Sequence, residues 1–171
     1  FNKYGDKDKM KKKLLSLTAV FTFVVSLVAS GGFSQLAYAA TPYNAINVLG
    51  EPDFTSTGAA VTQNGITNAI TTEVDNVHNR VFVADIYANR VLVYDATNIS
   101  DGMNASYVLG QPNFTTSTTA TTQSGLNGPE KLSYDSINDR LFVGDSGNNR
   151  VLVYDTSNIS NGMNASYVLG Q

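Results

Sequence analysis

A chain of 171 residues without cysteine has no disulfide, no thiolate zinc site, no cysteine nucleophile and no cysteine-borne lipid anchor. Of its 11 basic and 14 acidic residues, six and two respectively lie in residues 1–39, so the overall charge of −3 becomes −7 for residues 40–171. A basic footprint for gripping phosphates is missing, and nucleic acid is not an expected partner.

In chain order, residues 1–9 are polar and charged, and Met10 reads as the initiator after upstream, non-native sequence. Residues 10–39 have the layout of a secretory signal. Lys11 to Lys13 are its positive start, Leu14 to Ala29 its apolar stretch, and Ala37-Tyr38-Ala39 its small-x-small cleavage site. A retained membrane anchor is the alternative, but a spanning helix needs about 20 predominantly apolar residues, and Ser30-Gly31-Gly32 interrupts the run. Cleavage after Ala39 is expected, giving a secreted or cell-surface protein that meets the membrane only if the signal stays on.

The remainder repeats at a spacing of 60 residues. Val48-Leu49-Gly50 recurs at Val108-Leu109-Gly110 and Val168-Leu169-Gly170, and Asn89 to Asp95 returns unchanged as Asn149 to Asp155. Such a period marks a propeller, solenoid or array, in which each unit buries its apolar face on the next. The units are 48–107 and 108–167, and a third begins at 168, which predicts a longer parent protein.

The second unit opens with Gln111 to Phe114, a threonine-rich stretch from Thr115 to Thr122 and the turn formers Gln123 to Pro129, a loop in which Phe114 and Leu126 are the expected core anchors. Four short strands are predicted after it, at Lys131–Asp135, Leu141–Asp145, Arg150–Asp155 and Ala165–Gly170, each rich in Val, Leu, Phe or Tyr and bounded by Asp, Asn, Ser or Gly. Short polar connections pair them as an antiparallel meander. Val151-Leu152-Val153-Tyr154 is apolar on both alternating faces, so both faces of its sheet must be covered without helices. Stacked four-stranded sheets in a β-propeller satisfy that condition.

The run Leu141-Phe142-Val143-Gly144-Asp145-Ser146-Gly147-Asn148-Asn149-Arg150-Val151-Leu152-Val153-Tyr154-Asp155, with Gly128-Pro129 and Tyr134-Asp135 before it, resembles the core signature of NHL repeats. Val81 to Asp95 is similar but less faithful, with Ile86-Tyr87-Ala88 in place of Ser-Gly-Asn and Ala69 in place of Pro129. The resemblance spans residues 48–171 and implies an all-β propeller of four-stranded antiparallel blades. Such propellers commonly have six blades, of which about two are present. It says little of function, because the family includes sensors, binding modules and enzymes.

Asp85 with Asn89 and Arg90, and Asp145 with Asn149 and Arg150, are read as the polar framework of each unit. The carboxylate should take backbone N–H groups in the turn, and the guanidinium should fork onto the next unit. Calcium at Asp145, Asn148 and Asn149 is not expected, because the Asp-x-Asp-x-Asp-Gly pattern is absent. Glu130 and Lys131 replace Ile70 and Thr71 at the entry to the innermost strand and are the candidate ligand residues. His78, the sole histidine, falls in a connecting turn. No catalytic set, metal site or cofactor motif is legible in the two units. The expected function is therefore an exported binding module for a protein, peptide or glycan, monomeric when full length. A propeller enzyme of the lactonase or lyase kind with a channel metal, and a structural surface repeat without a ligand, are the alternatives.

Overall fold

A computed structural model describes residues 44–171. The expected signal segment and the charged start therefore lie outside the described residues. Among these residues the chain is all-β, with eight strands and one short 3-10 turn at Ser146–Asn148. The first sheet has the order β1 (Ala69–Asp75), β2 (Arg80–Asp85), β3 (Arg90–Asp95) and β4 (Tyr107–Leu109). The second repeats it with β5 (Pro129–Asp135), β6 (Arg140–Asp145), β7 (Arg150–Asp155) and β8 (Tyr167–Leu169). Both sheets are antiparallel meanders.

The turn chemistry explains this topology. Every β1–β2, β2–β3, β5–β6 and β6–β7 connection ends on an Asn or Asp with φ near +50°, namely Asn79, Asn89, Asp139 and Asn149. These are the residue types that enter the left-handed region most readily after glycine. Asp75 and Asp135 brace the β1–β2 and β5–β6 turns by accepting the N–H groups of Val77 and His78, and of Ile137 and Asn138, respectively.

Register sorts the side chains onto two faces. On the first sheet Phe82, Ala84, Val91, Val93 and Leu109 share one face, and all are buried. That face packs against Leu132, Leu141, Val143, Leu152 and Tyr154 of the second sheet. Each large apolar side chain so buried contributes roughly 1.5–3 kcal/mol, so this sheet-on-sheet contact is the main core. The reverse face of the first sheet carries Val83, Leu92, Tyr94 and Val108 and is closed by Leu49, Ile66, Met103 and Phe114 from the loops. Leu126 and Phe114 are thus anchors, as their place in the loop predicted.

The sheets fan apart. β1 lies along β5 and β2 touches β5, while the outer strands β4 and β8 make no comparable approach to each other. The double-sided apolar run predicts cover on both faces of β7, and here the structure differs. Val151 and Phe142, whose counterparts Val91 and Phe82 are fully buried, remain partly exposed because no third sheet lies over them among the described residues.

Candidate functional site

The Asp–Arg pairs form at the end of each sheet where β2 turns into β3 and β6 into β7. Arg90 Nε donates to Asp85 Oδ2 at 3.0 Å, and Arg150 Nε to Asp145 Oδ2 at 2.8 Å. The carboxylates take their backbone N–H bonds from the loop leading into the first strand rather than from the turn. Thr67 N and Asn68 N donate to Asp85, and Asn127 N donates to Asp145. The guanidinium of Arg90 makes two further bonds to the same loop, at Thr62 O and Gly65 O, and one to the next unit, at Phe114 O. With Asp85 and Arg90 both wholly buried, the pair is a clamp that fastens the long loop to the sheet.

Asn89 ties the units together. Its Nδ2 donates to Ser117 O at 2.9 Å, and its Oδ1 accepts Gly128 N at 2.8 Å. Asn149, its equivalent, is exposed.

A second Asp–Arg pair, at the opposite end, was not singled out from sequence. Arg80 donates through Nε to Asp75 Oδ2 at 2.8 Å and through Nη1 to Thr156 O of the second unit at 2.8 Å. His78 Nδ1 sits 3.0 Å from Asp75 and 3.7 Å from Asp139, whose carboxylate also accepts the Tyr134 hydroxyl. Burial works to raise the Asp75 pKa. The N–H and ring of His78 together with the Arg80 charge outweigh it and hold the carboxyl at about 2. The signal was available, because Asp-x-x-x-Asn/Asp-Arg occurs four times, at 75–80, 85–90, 135–140 and 145–150.

Glu130 and Lys131 lie at the start of β5, both exposed. The strand register slips between Pro129 and Lys131, leaving Glu130 as the extra residue of a β-bulge. The same slip occurs between Ala69 and Thr71, so Ile70 is its counterpart. Bulges re-aim a side chain and recur beside functional sites. Ile70 is 46% exposed, and Tyr87 in the β2–β3 turn at the same end is 72% exposed. This end therefore presents an aliphatic group, an aromatic ring, a carboxylate and an ammonium group on rigid strand starts and tight turns. Among the described residues no three His, Asp or Glu side chains gather to hold a metal.

No protein-family model matches the chain, and no curated protein matches it.

Proposed function

We propose that the two sheets are consecutive blades of an exported, NHL-type β-propeller that binds a protein or peptide through its bulge end. Support for the propeller comes from the fan of the sheets about β1 and β5, together with the 60-residue repeat. The observation that carries the binding reading is the bulge at the same register in both sheets. It turns out Ile70 in one unit and Glu130 in the other, so the framework is kept while the presented side chain changes. Scaffolds that hold geometry constant and vary exposed groups are suited to recognition. The mixture of Ile70, Tyr87, Glu130 and Lys131 matches a peptide or protein surface, which offers both apolar and charged partners.

The test is selection of peptide ligands on the folded protein, followed by the double variant Glu130→Ala, Lys131→Ala. Binding should weaken about tenfold or more, equivalent to about 1.4 kcal/mol, with stability shifted by no more than about 0.5 kcal/mol as for ordinary surface changes. Ligands indifferent to that variant, but lost on changing Val77 and Ile137 at the opposite end, would move the site there.

A further inference from the structure

The long loop that opens the second unit forms most of a pocket that neither the Asp–Arg clamps nor the bulges use. Gln111, Pro112, Thr118, Ala120, Thr122 and Ser124 line it with glycine backbone between them, and its volume is about 190 Å3. The loop is held from both units. Asn89 Nδ2 of the first unit donates to Ser117 O, and in the second unit Asn148 Nδ2 donates to Ala120 O and Ala120 N to Leu126 O. Walls fixed in this way need little further ordering when a ligand enters, which favours binding. The mouth does not depend on a neighbouring unit. Pro52, Gly58, Thr62 and Asn64 are the counterparts of Pro112, Thr118, Thr122 and Ser124, and all four are exposed although the second unit lies beside the first. A unit that follows the second therefore leaves this face open.

Gln111 gives the pocket its chemistry. The side chain is 1% exposed, and its Nε2 donates to Asn89 O at 2.9 Å and to Thr118 O at 2.8 Å. Two carbonyls at the nitrogen fix which way the amide points, because the opposite orientation would set oxygen against oxygen. Oε1 is thereby left as a buried acceptor without a partner among the described residues. A buried acceptor in that condition is destabilising until a donor reaches it. The ligand that belongs here must therefore donate a hydrogen bond.

The rest of the lining narrows the class. No lining side chain is charged, so an ion would give up hydration here without a counter-charge. Thr118, Thr122 and Ser124 bring hydroxyls, which both donate and accept, while Pro112 and Ala120 bring apolar surface. A sugar ring has the same make-up, with hydroxyls set on a C–H frame. The volume lies below the roughly 300–1,000 Å3 of pockets for larger ligands and suits one ring. We propose that this pocket binds a single neutral sugar residue, one of whose hydroxyls donates to Gln111 Oε1. The first unit lacks the set, because Glu51 stands in place of Gln111, Gly58 in place of Thr118 and Asn64 in place of Ser124. Neither Glu130 nor Lys131 lines the pocket, so the proposal is independent of peptide binding at the bulges.

Amide NMR on the full chain tests this with the methyl glycosides of glucose, galactose, mannose and N-acetylglucosamine, and with glucuronate and glucosamine as charged controls. At least one neutral glycoside should give saturable shifts at the Gln111 side-chain amide and at the backbone amides of Thr118, Ser124 and Gly125. The charged sugars should bind at least about tenfold more weakly. Because Gln111 also fastens Thr118 to Asn89, the decisive variants are Thr118→Gly and Ser124→Asn, each introducing the residue that the first unit carries. Each should weaken the neutral glycoside about fivefold or more, the loss of one neutral hydrogen bond, while Glu130→Ala with Lys131→Ala should leave its affinity unchanged. No saturable shift with any neutral glycoside would mean that Gln111 is served by water alone, and it would overturn the proposal. Charged sugars binding as well as neutral ones, or affinity untouched by both pocket variants, would overturn it equally.

Discussion

Tyr94 and Tyr154 occupy equivalent places, and neither buried hydroxyl has a hydrogen-bond partner among the described residues. Burial pushes Tyr94 up to about 12 and moves Tyr154 in the same direction, so both stay neutral phenols at ordinary pH. A buried polar group without a partner costs about 1–3 kcal/mol. Tyr154→Phe, which removes the oxygen and keeps the ring, should therefore leave stability unchanged or raise it by about 1 kcal/mol, as read from urea denaturation. A loss of more than about 1 kcal/mol would show that the hydroxyl is bonded after all.

Asp75 gives the opposite kind of sensitivity. Its carboxyl is depressed from 3.8 to about 2 in the folded chain, so its contribution is complete above the unfolded value and disappears as pH falls from about 4 to about 2. Denaturation midpoints measured across that range should fall with pH, and Asp75→Asn should flatten the part of the curve that Asp75 supplies. Asp53, Asp95, Asp135 and Asp155, which are depressed chiefly by bonds within their own turns, add slope in the same direction.

At the scale of elements, strand existence was legible because Val, Leu, Phe and Tyr runs alternate with Asp, Asn and Gly punctuation. β7 was placed to the residue. β5 begins two residues earlier than predicted, at Pro129, because the bulge at Glu130 lets the ladder extend back past the irregularity. β8 is shorter than predicted, because Ala165 donates its N–H to Gln123 O and Ser166 to Val153 O before the regular ladder starts. A bulge has no compositional signature, so Glu130 could be picked out only as a difference between units. The partners of Arg90 were equally hidden, because backbone carbonyls at Thr62, Gly65 and Phe114 leave no trace in side-chain identity.

The glycines after β4 and β8 separate local strain from packing. Gly110 and Gly170 have φ of +86° and +90°, where a side chain is disfavoured in both. A Cβ on Gly110 would also strike Leu126 of the second unit, whereas on Gly170 its nearest neighbour is Asn149 O at 3.4 Å. Gly170→Ala should cost about 1 kcal/mol, and Gly110→Ala should cost about 1–3 kcal/mol more from overpacking. Thermal denaturation of the two variants measures the difference. Equal losses would mean that Leu126 yields freely.

For the whole molecule, the repeat made the two-sheet architecture readable and left its boundary conditions unread. Identical segments in the two units have different surroundings, and only the arrangement of the sheets shows which is covered. The central claim is that each unit is completed by the next. It is tested most directly on two stretches with one sequence, residues 102–111 and 162–171, which read Gly-Met-Asn-Ala-Ser-Tyr-Val-Leu-Gly-Gln in both places. The strand amides Tyr107–Leu109 and Tyr167–Leu169 have identical neighbours in sequence and the same intrinsic exchange rates, so any difference in their protection is tertiary. Hydrogen exchange followed residue by residue by NMR, on dilute protein, should find β4 strongly protected and β8 weakly protected. Equal protection of β4 and β8 would contradict the account.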